Sequence, residues 1–236
     1  MKKRIHLSVI AAVVLLVVAT IAGCGGGSGG SPSAPTPIDP QLFVPNYVSS
    51  LDRLLHWGHL PVTVYFNLPA DWGTLYQNID VLAANEWNQP GKQALTSVVS
   101  VSGGSDVTVA FVHRSELVEY GVGTQGYTRY EYYPSLLMFG ASVKVALDDA
   151  NGAPISANLA KKVIAHELGH AIGIGGHSPN QQDLMFPTSY PNAPQVAGVL
   201  DLNTIMTAYP SYFTRGSRGV RTEEPPTGPV LSAVIE

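Results

Sequence analysis

The chain has 236 residues, 45% of them hydrophobic and only 13% charged, with 13 Lys+Arg against 17 Asp+Glu. That length holds one domain with its own core, and the composition excludes a chain too polar to fold. The acidic balance argues against a nucleic-acid partner.

Taken in order, the first segment reads as an export signal. Lys2, Lys3 and Arg4 precede an apolar run from Leu7 to Ile21, which is short for a membrane-spanning helix and ends in small residues. "IAGC" (Ile21 to Cys24) resembles the lipobox of bacterial lipoproteins, which implies cleavage of residues 1–23 and lipid on Cys24. Cys24 is the single cysteine, so no disulfide can form within one chain. Removing the three early cations from the 13 Lys+Arg leaves 10 against 17 Asp+Glu, a net charge of −7, which also argues against a polybasic membrane contact. Residues 24–40 run through "GGGSGGSPSAPTPIDP", a Gly/Ser-rich then Pro-rich tether. The expectation is an exported, lipid-anchored protein of the cell envelope, on the outer membrane or cell surface.

A folded domain is expected over residues 41–213, and 214–236, rich in Gly and Pro, reads as a flexible C-terminal tail. Within the domain, Pro61 to Pro69 alternates and is β-branched, which predicts a strand. Leu75, Ile79, Leu82, Ala83, Glu86 and Trp87 predict a helix over Thr74 to Gln89, stopped by Pro90-Gly91. Val98 to Ser102, Asp106 to Val112 and Ala141 to Asp149 predict further strands, and Gly121 to Pro134 a loop with a short edge strand. "DDANG" (Asp148 to Gly152) is read as an Asp/Asn/Gly turn in preference to a structural calcium loop, for which nothing else speaks. Ser156 is placed to cap a helix running to about Ile172, and Asp201 to cap a last helix, Leu202 to Tyr209. Strands interspersed with helices on short connections predict an α+β domain, a sheet with helices packed on it.

The chemistry sits at the end of the longer helix, in "HELGHAIGIGGHS" (His166 to Ser178). His166 and His170, one helical turn apart, project from the same face and can reach one zinc ion. Glu167 follows the first ligand, where its carboxylate can take a proton from water at the metal's open position. A catalytic zinc needs a third protein ligand. Gly173 can end the helix in a left-handed conformation and turn the chain back under the metal.

Up to Gly173 this stretch resembles the metzincin pattern H-E-x-x-H-x-x-G-x-x-H. The pattern's last histidine would fall on Gly176; His177 comes one residue late. From His177 onward, "HSPNQQDLMFP" is similar to the matrixin branch of the clan. The difference is therefore confined to the glycine bend, which can absorb an extra residue near Gly175–Gly176. Of the remaining histidines, His56 and His59 precede the fold proper and His113 follows a strand, so His177 is the expected third ligand.

The resemblance implies a metzincin-like catalytic domain. It would have a twisted mixed sheet of about five strands with helices packed on it, and an active-site helix followed by a Met-turn at Met185 and a C-terminal helix. It implies one catalytic Zn²⁺, a protein or peptide substrate lying along an edge strand near Tyr127 to Tyr133, and a substrate pocket walled by Pro187 and Tyr190. A monomer is expected. The function implied is a zinc-dependent endopeptidase with Glu167 as general base. Two alternatives stand: a non-catalytic, zinc-stabilised surface lipoprotein binding a partner through the cleft, and a zinc hydrolase of a non-peptide bond.

Overall fold

The computed structural model describes residues 54–70, 72–88, 94–121, 123–192, 195–209 and 229–235. The signal segment, Cys24 and the tether lie outside them. One sheet runs through the domain. Its strands are β1 (His56–Trp57), β2 (Val62–Asn67), β3 (Thr96–Val99), β4 (Val107–Val112), β5 (Gly126–Tyr132), β6 (Leu137–Ala146) and β7 (Leu231–Ile235). The order is β3-β2-β4-β6-β5-β7, with β1 also paired to β6. β3, β2, β4 and β6 are mutually parallel, whereas β5 is antiparallel to β6 and β7 is antiparallel to β5. The five central strands make the twisted mixed sheet of the α+β expectation; β1 and β7 are additions to it.

The alternating pattern in the sequence explains which face is covered. Val62 and Val64 on β2 and Val107 and Val109 on β4 are wholly buried, and the residues between them are less so. Helix α2 (Ala157–Ala171) packs on β5 and β6, and the short α1 (Ile79–Ala84) packs on α2 and β3. Ser156 caps α2, its Oγ accepting the Leu159 N–H at 3.3 Å. The indole N–H of Trp87 donates to Ala165 O at 2.8 Å and that of Trp57 to Ala171 O at 2.9 Å. The Tyr209 hydroxyl donates to Ile172 O at 2.6 Å. Two of these bonds satisfy carbonyls left over at the helix end and so fix where α2 stops.

Three expectations are corrected. The helix placed over Thr74 to Gln89 is helical only from Ile79 to Ala84, because Asn78 takes a left-handed conformation (φ 58°) that breaks the run. The last helix, α3, spans Val199–Ala208 and starts earlier than expected. Asp201 lies inside its first turn and reaches back, its carboxylate accepting the Gly198 N–H at 2.9 Å. Lastly, Leu231–Ile235, assigned to a flexible tail, forms strand β7 on the outer edge of β5. In "DDANG", Asp149 Oδ1 accepts the N–H groups of Asn151 and Ala153 at 2.8 and 3.0 Å and Gly152 has φ 77°. That carboxylate oxygen is consumed in a turn.

Candidate metal centre and cleft

Helix α2 ends in a left-handed glycine motif that aims the following chain. Gly173 has φ 118°, its N–H donates to His170 O at 2.9 Å, and the Ile174 N–H reaches back to Gly169 O at 3.1 Å. A side chain on Gly173 would fall on the backbone carbonyl of Leu55. The chain then passes Gly175 and Gly176, neither at positive φ, and delivers His177 to the two helical histidines. The ligand atoms of His166, His170 and His177 lie within 4.8 Å of one another, the metal-capable grouping among the described residues.

Hydrogen bonding fixes the state of this cluster. His166 Nδ1 lies 2.8 Å from Leu184 O, and His170 Nδ1 lies 2.7 Å from Ile174 O. A carbonyl only accepts, so each Nδ1 carries the proton and each Nε2 is left with a bare lone pair. Those two Nε2 atoms face each other at 3.2 Å, a repulsive contact unless a cation sits between them. Two nitrogens on one tetrahedral zinc at about 2.0–2.1 Å are separated by roughly 3.3 Å. His177 Nε2 is shut off from solvent and has no hydrogen-bond partner. Burial pushes His166 down to about 4 and His170 well below the usual histidine range, and it lowers His177 as well. All three are held as neutral imidazoles, the form that binds metal. The donor set therefore fits a zinc ion.

The other three histidines of the domain have their own partners. His56 Nδ1 lies 3.2 Å from Leu54 O, His59 Nε2 lies 3.0 Å from Asp106, and His113 Nδ1 lies 3.1 Å from Asp148.

Glu167 points from α2 to β5. The Thr128 hydroxyl donates to Glu167 Oε2 at 2.6 Å, and a Cβ on Gly126 would fall on the Glu167 carboxylate. Burial pushes the Glu167 carboxyl up to about 8, against the Thr128 hydrogen bond, which lowers it. A cation held by the neighbouring histidines would draw it down again.

Met185 is wholly buried beneath α2, and a Cβ on Gly169, between the two helical histidines, would fall on its sulfur. Its loop is tied at both ends. Ser178 N–H donates to Met185 O at 2.7 Å, and Leu184 N–H donates to Asp201 at 3.0 Å. Asp183, buried, accepts the Ser178 hydroxyl at 2.6 Å.

A cavity of about 550 Å³ opens beside this cluster. Leu159 and Val163 of α2, His166, Glu167, Pro187 and Thr188 line it, together with Arg114 and the segment Gly123 to Gly126. Tyr190, paired with Pro187 as a pocket wall in the sequence reading, lies off that lining. Its ring stacks on Phe186 with centroids 6.2 Å apart, and its carbonyl accepts the Lys162 ammonium at 2.6 Å.

Residues 79–209 match the sequence model of the matrixin family. The match covers more than half of the chain and takes in α1, the whole histidine cluster and α3. The chain belongs to the matrixin family. No curated protein matches it closely enough to be named as a relative. Matrixins are zinc metallopeptidases acting on protein or peptide substrates, and the histidine cluster supplies the metal-capable grouping that this membership implies. Gly126, Gly169 and the cavity-lining Arg114 were not singled out in the sequence reading, and Thr128 entered it only as part of the expected edge strand near Tyr127 to Tyr133, without its bond to Glu167. Only Gly126, at the head of a β-branched and aromatic run, carried any local signal, and what it touches is distant in sequence.

Proposed function

We propose that this matrixin domain is a zinc-dependent endopeptidase in which His166, His170 and His177 hold the metal and Glu167 is the general base. The observation that carries this reading is the set of bare imidazole nitrogens converging beside a buried carboxylate at the mouth of a cavity. Bound zinc supplies Lewis acidity toward a water molecule and toward the carbonyl of the scissile peptide bond. Glu167 takes a proton from that water and hands it to the departing amine. Thr128 orients the carboxylate for both transfers, and Gly126 leaves the space in which it swings. The substrate lies extended and pairs with β5, whose Gly126 to Thr128 stretch brings the peptide past Glu167. Leu159, Val163 and Pro187 offer an apolar wall for a side chain beyond the cut. "IAGC" supports export and lipid anchoring through Cys24 as the setting of this activity.

The test is the Glu167→Gln variant, assayed on casein and on peptides with zinc content measured in parallel. A loss of roughly 10²–10⁴-fold in kcat, with zinc retained, is expected for removal of a general base. Full activity in a zinc-loaded variant would overturn the assignment.

A further inference from the structure

Within the proposed endopeptidase, the edge that would receive substrate is already taken by the chain itself. β7 pairs antiparallel along β5 from Tyr132↔Leu231 to Thr128↔Ile235. Without β7 this side of β5 is an open edge, since β6 covers only the other side. The direction matters as much as the position. A peptide antiparallel to β5 runs from the Tyr132 end toward Gly126, and β7 runs that way. Its last described residue, Ile235, stands opposite Thr128, whose hydroxyl holds Glu167. β7 therefore occupies the edge as the portion of a substrate on the amino side of the scissile bond would.

The contact is built to be reversible. Leu231 and Val234 are 38% and 40% exposed, and Ala233 packs on the core. A backbone ladder joins the strand to β5, and its described side chains bury little apolar surface; elements of that kind open at small free-energy cost. Val230, just before it, is also exposed.

We propose that Leu231–Ile235 is an intramolecular competitor: it fills the amino-side substrate edge of β5 and keeps the full chain partly closed to substrate until it is displaced or removed. This rests on the endopeptidase reading, because it needs β5 to be the substrate edge. Tethering gives such a strand an effective concentration in the millimolar range, so even a weak ladder competes with dilute substrate.

The experiment compares three zinc-loaded proteins: the full chain, a chain lacking residues 229–236, and the full chain carrying Ser232→Pro and Ala233→Pro. Successive N–H groups in a strand point to opposite sides, so one of the two prolines removes an N–H that faces β5. Each is assayed for KM and kcat on an unrelated peptide and for binding of a fluorescein-labelled peptide PVLSAVIE by anisotropy. The expected result is a KM lowered roughly tenfold with kcat kept in both altered chains, and labelled peptide bound by them but not by the full chain. Equal KM in all three, with cleavage intact and no peptide bound by either altered chain, overturns the competitor and leaves the peptidase reading standing. No cleavage by any of the three, with zinc bound, removes the peptidase reading and the competitor with it.

Discussion

The two sides of the cleft are built by different means. The metal-capable floor, from α2 through the glycine bend to Met185, is fixed by buried side chains with named partners: His166 on Leu184 O, His170 on Ile174 O, Asp183 on Ser178 and Asp201 on the backbone of Gly198 and Leu184. The opposite side is a strand, β5, whose outer rim offers backbone groups and pairs through them with the extended segment Leu231–Ile235. Residue identity specifies the floor, and backbone geometry specifies the rim. A substitution on the floor should therefore act through metal or proton transfer, and one on the rim through substrate access.

The largest effect that would break this contrast is metal removal. Chelation should abolish cleavage, and added zinc should restore it; activity that survives complete zinc loss would mean that the floor is not the catalytic part. Next comes Gly126→Ala, a rim position where an added side chain would fall on Glu167 of the floor. The added methyl displaces the Glu167 carboxylate, so kcat should fall by roughly 10²-fold with zinc content unchanged. An unaffected kcat would place the base elsewhere. Thr128→Val keeps the shape and removes one hydrogen bond to Glu167. A loss of about 1–1.5 kcal/mol in positioning corresponds to roughly a tenfold lower kcat, with KM little changed.

Gly169→Ala tests the packing of the floor alone. The methyl meets the Met185 sulfur and the Trp87 ring, and overpacking of this kind costs about 1–3 kcal/mol in unfolding free energy. Urea denaturation of the zinc-loaded protein would measure it.

The smallest expected effect concerns pH. In the metal-free protein, burial pushes Glu167 from 4.5 up to about 8 and Asp201 from 3.8 up to about 7. The folded state then holds protons that the unfolded state has released, so stability falls as pH rises through this window. His166, depressed from 6.5 to about 4, acts in the opposite sense below pH 6.5, where the unfolded chain takes up a proton that the folded one refuses. His170 and His177, also depressed, act like His166, and their opposition fades above pH 6.5, where the two carboxyls and the raised His59 set the slope. The Tm of the metal-free protein should decline from pH 6.5 to 8, and Glu167→Gln should flatten the decline. An unchanged slope in that variant would remove Glu167 from the balance.

The same contrast explains what the sequence disclosed. His166, Glu167 and His170 were legible because one helical turn joins them, and Gly173 because only a helix-ending bend wants a glycine there. The strands β2, β4 and β6 announced themselves by alternation. α1 was read too long because nothing in the periodic pattern shows that Asn78 turns left-handed. Gly126 and Thr128 were invisible as site residues because their partner, Glu167, is about 40 positions away and meets them only through the β5–α2 packing. β7 was hidden for another reason. "LSAVI" is a fair strand, but it follows "GSRGVRTEEPPTGP", whose composition dominates any local reading.

The central claim is that the late histidine completes the metal site. It is tested most directly by zinc stoichiometry and affinity in the unaltered chain and in His177→Ala. One zinc per chain, with affinity reduced at least tenfold in the variant, is the result this arrangement predicts. Equal affinity in the two proteins would contradict it, because the buried, unpartnered Nε2 of His177 would then hold nothing.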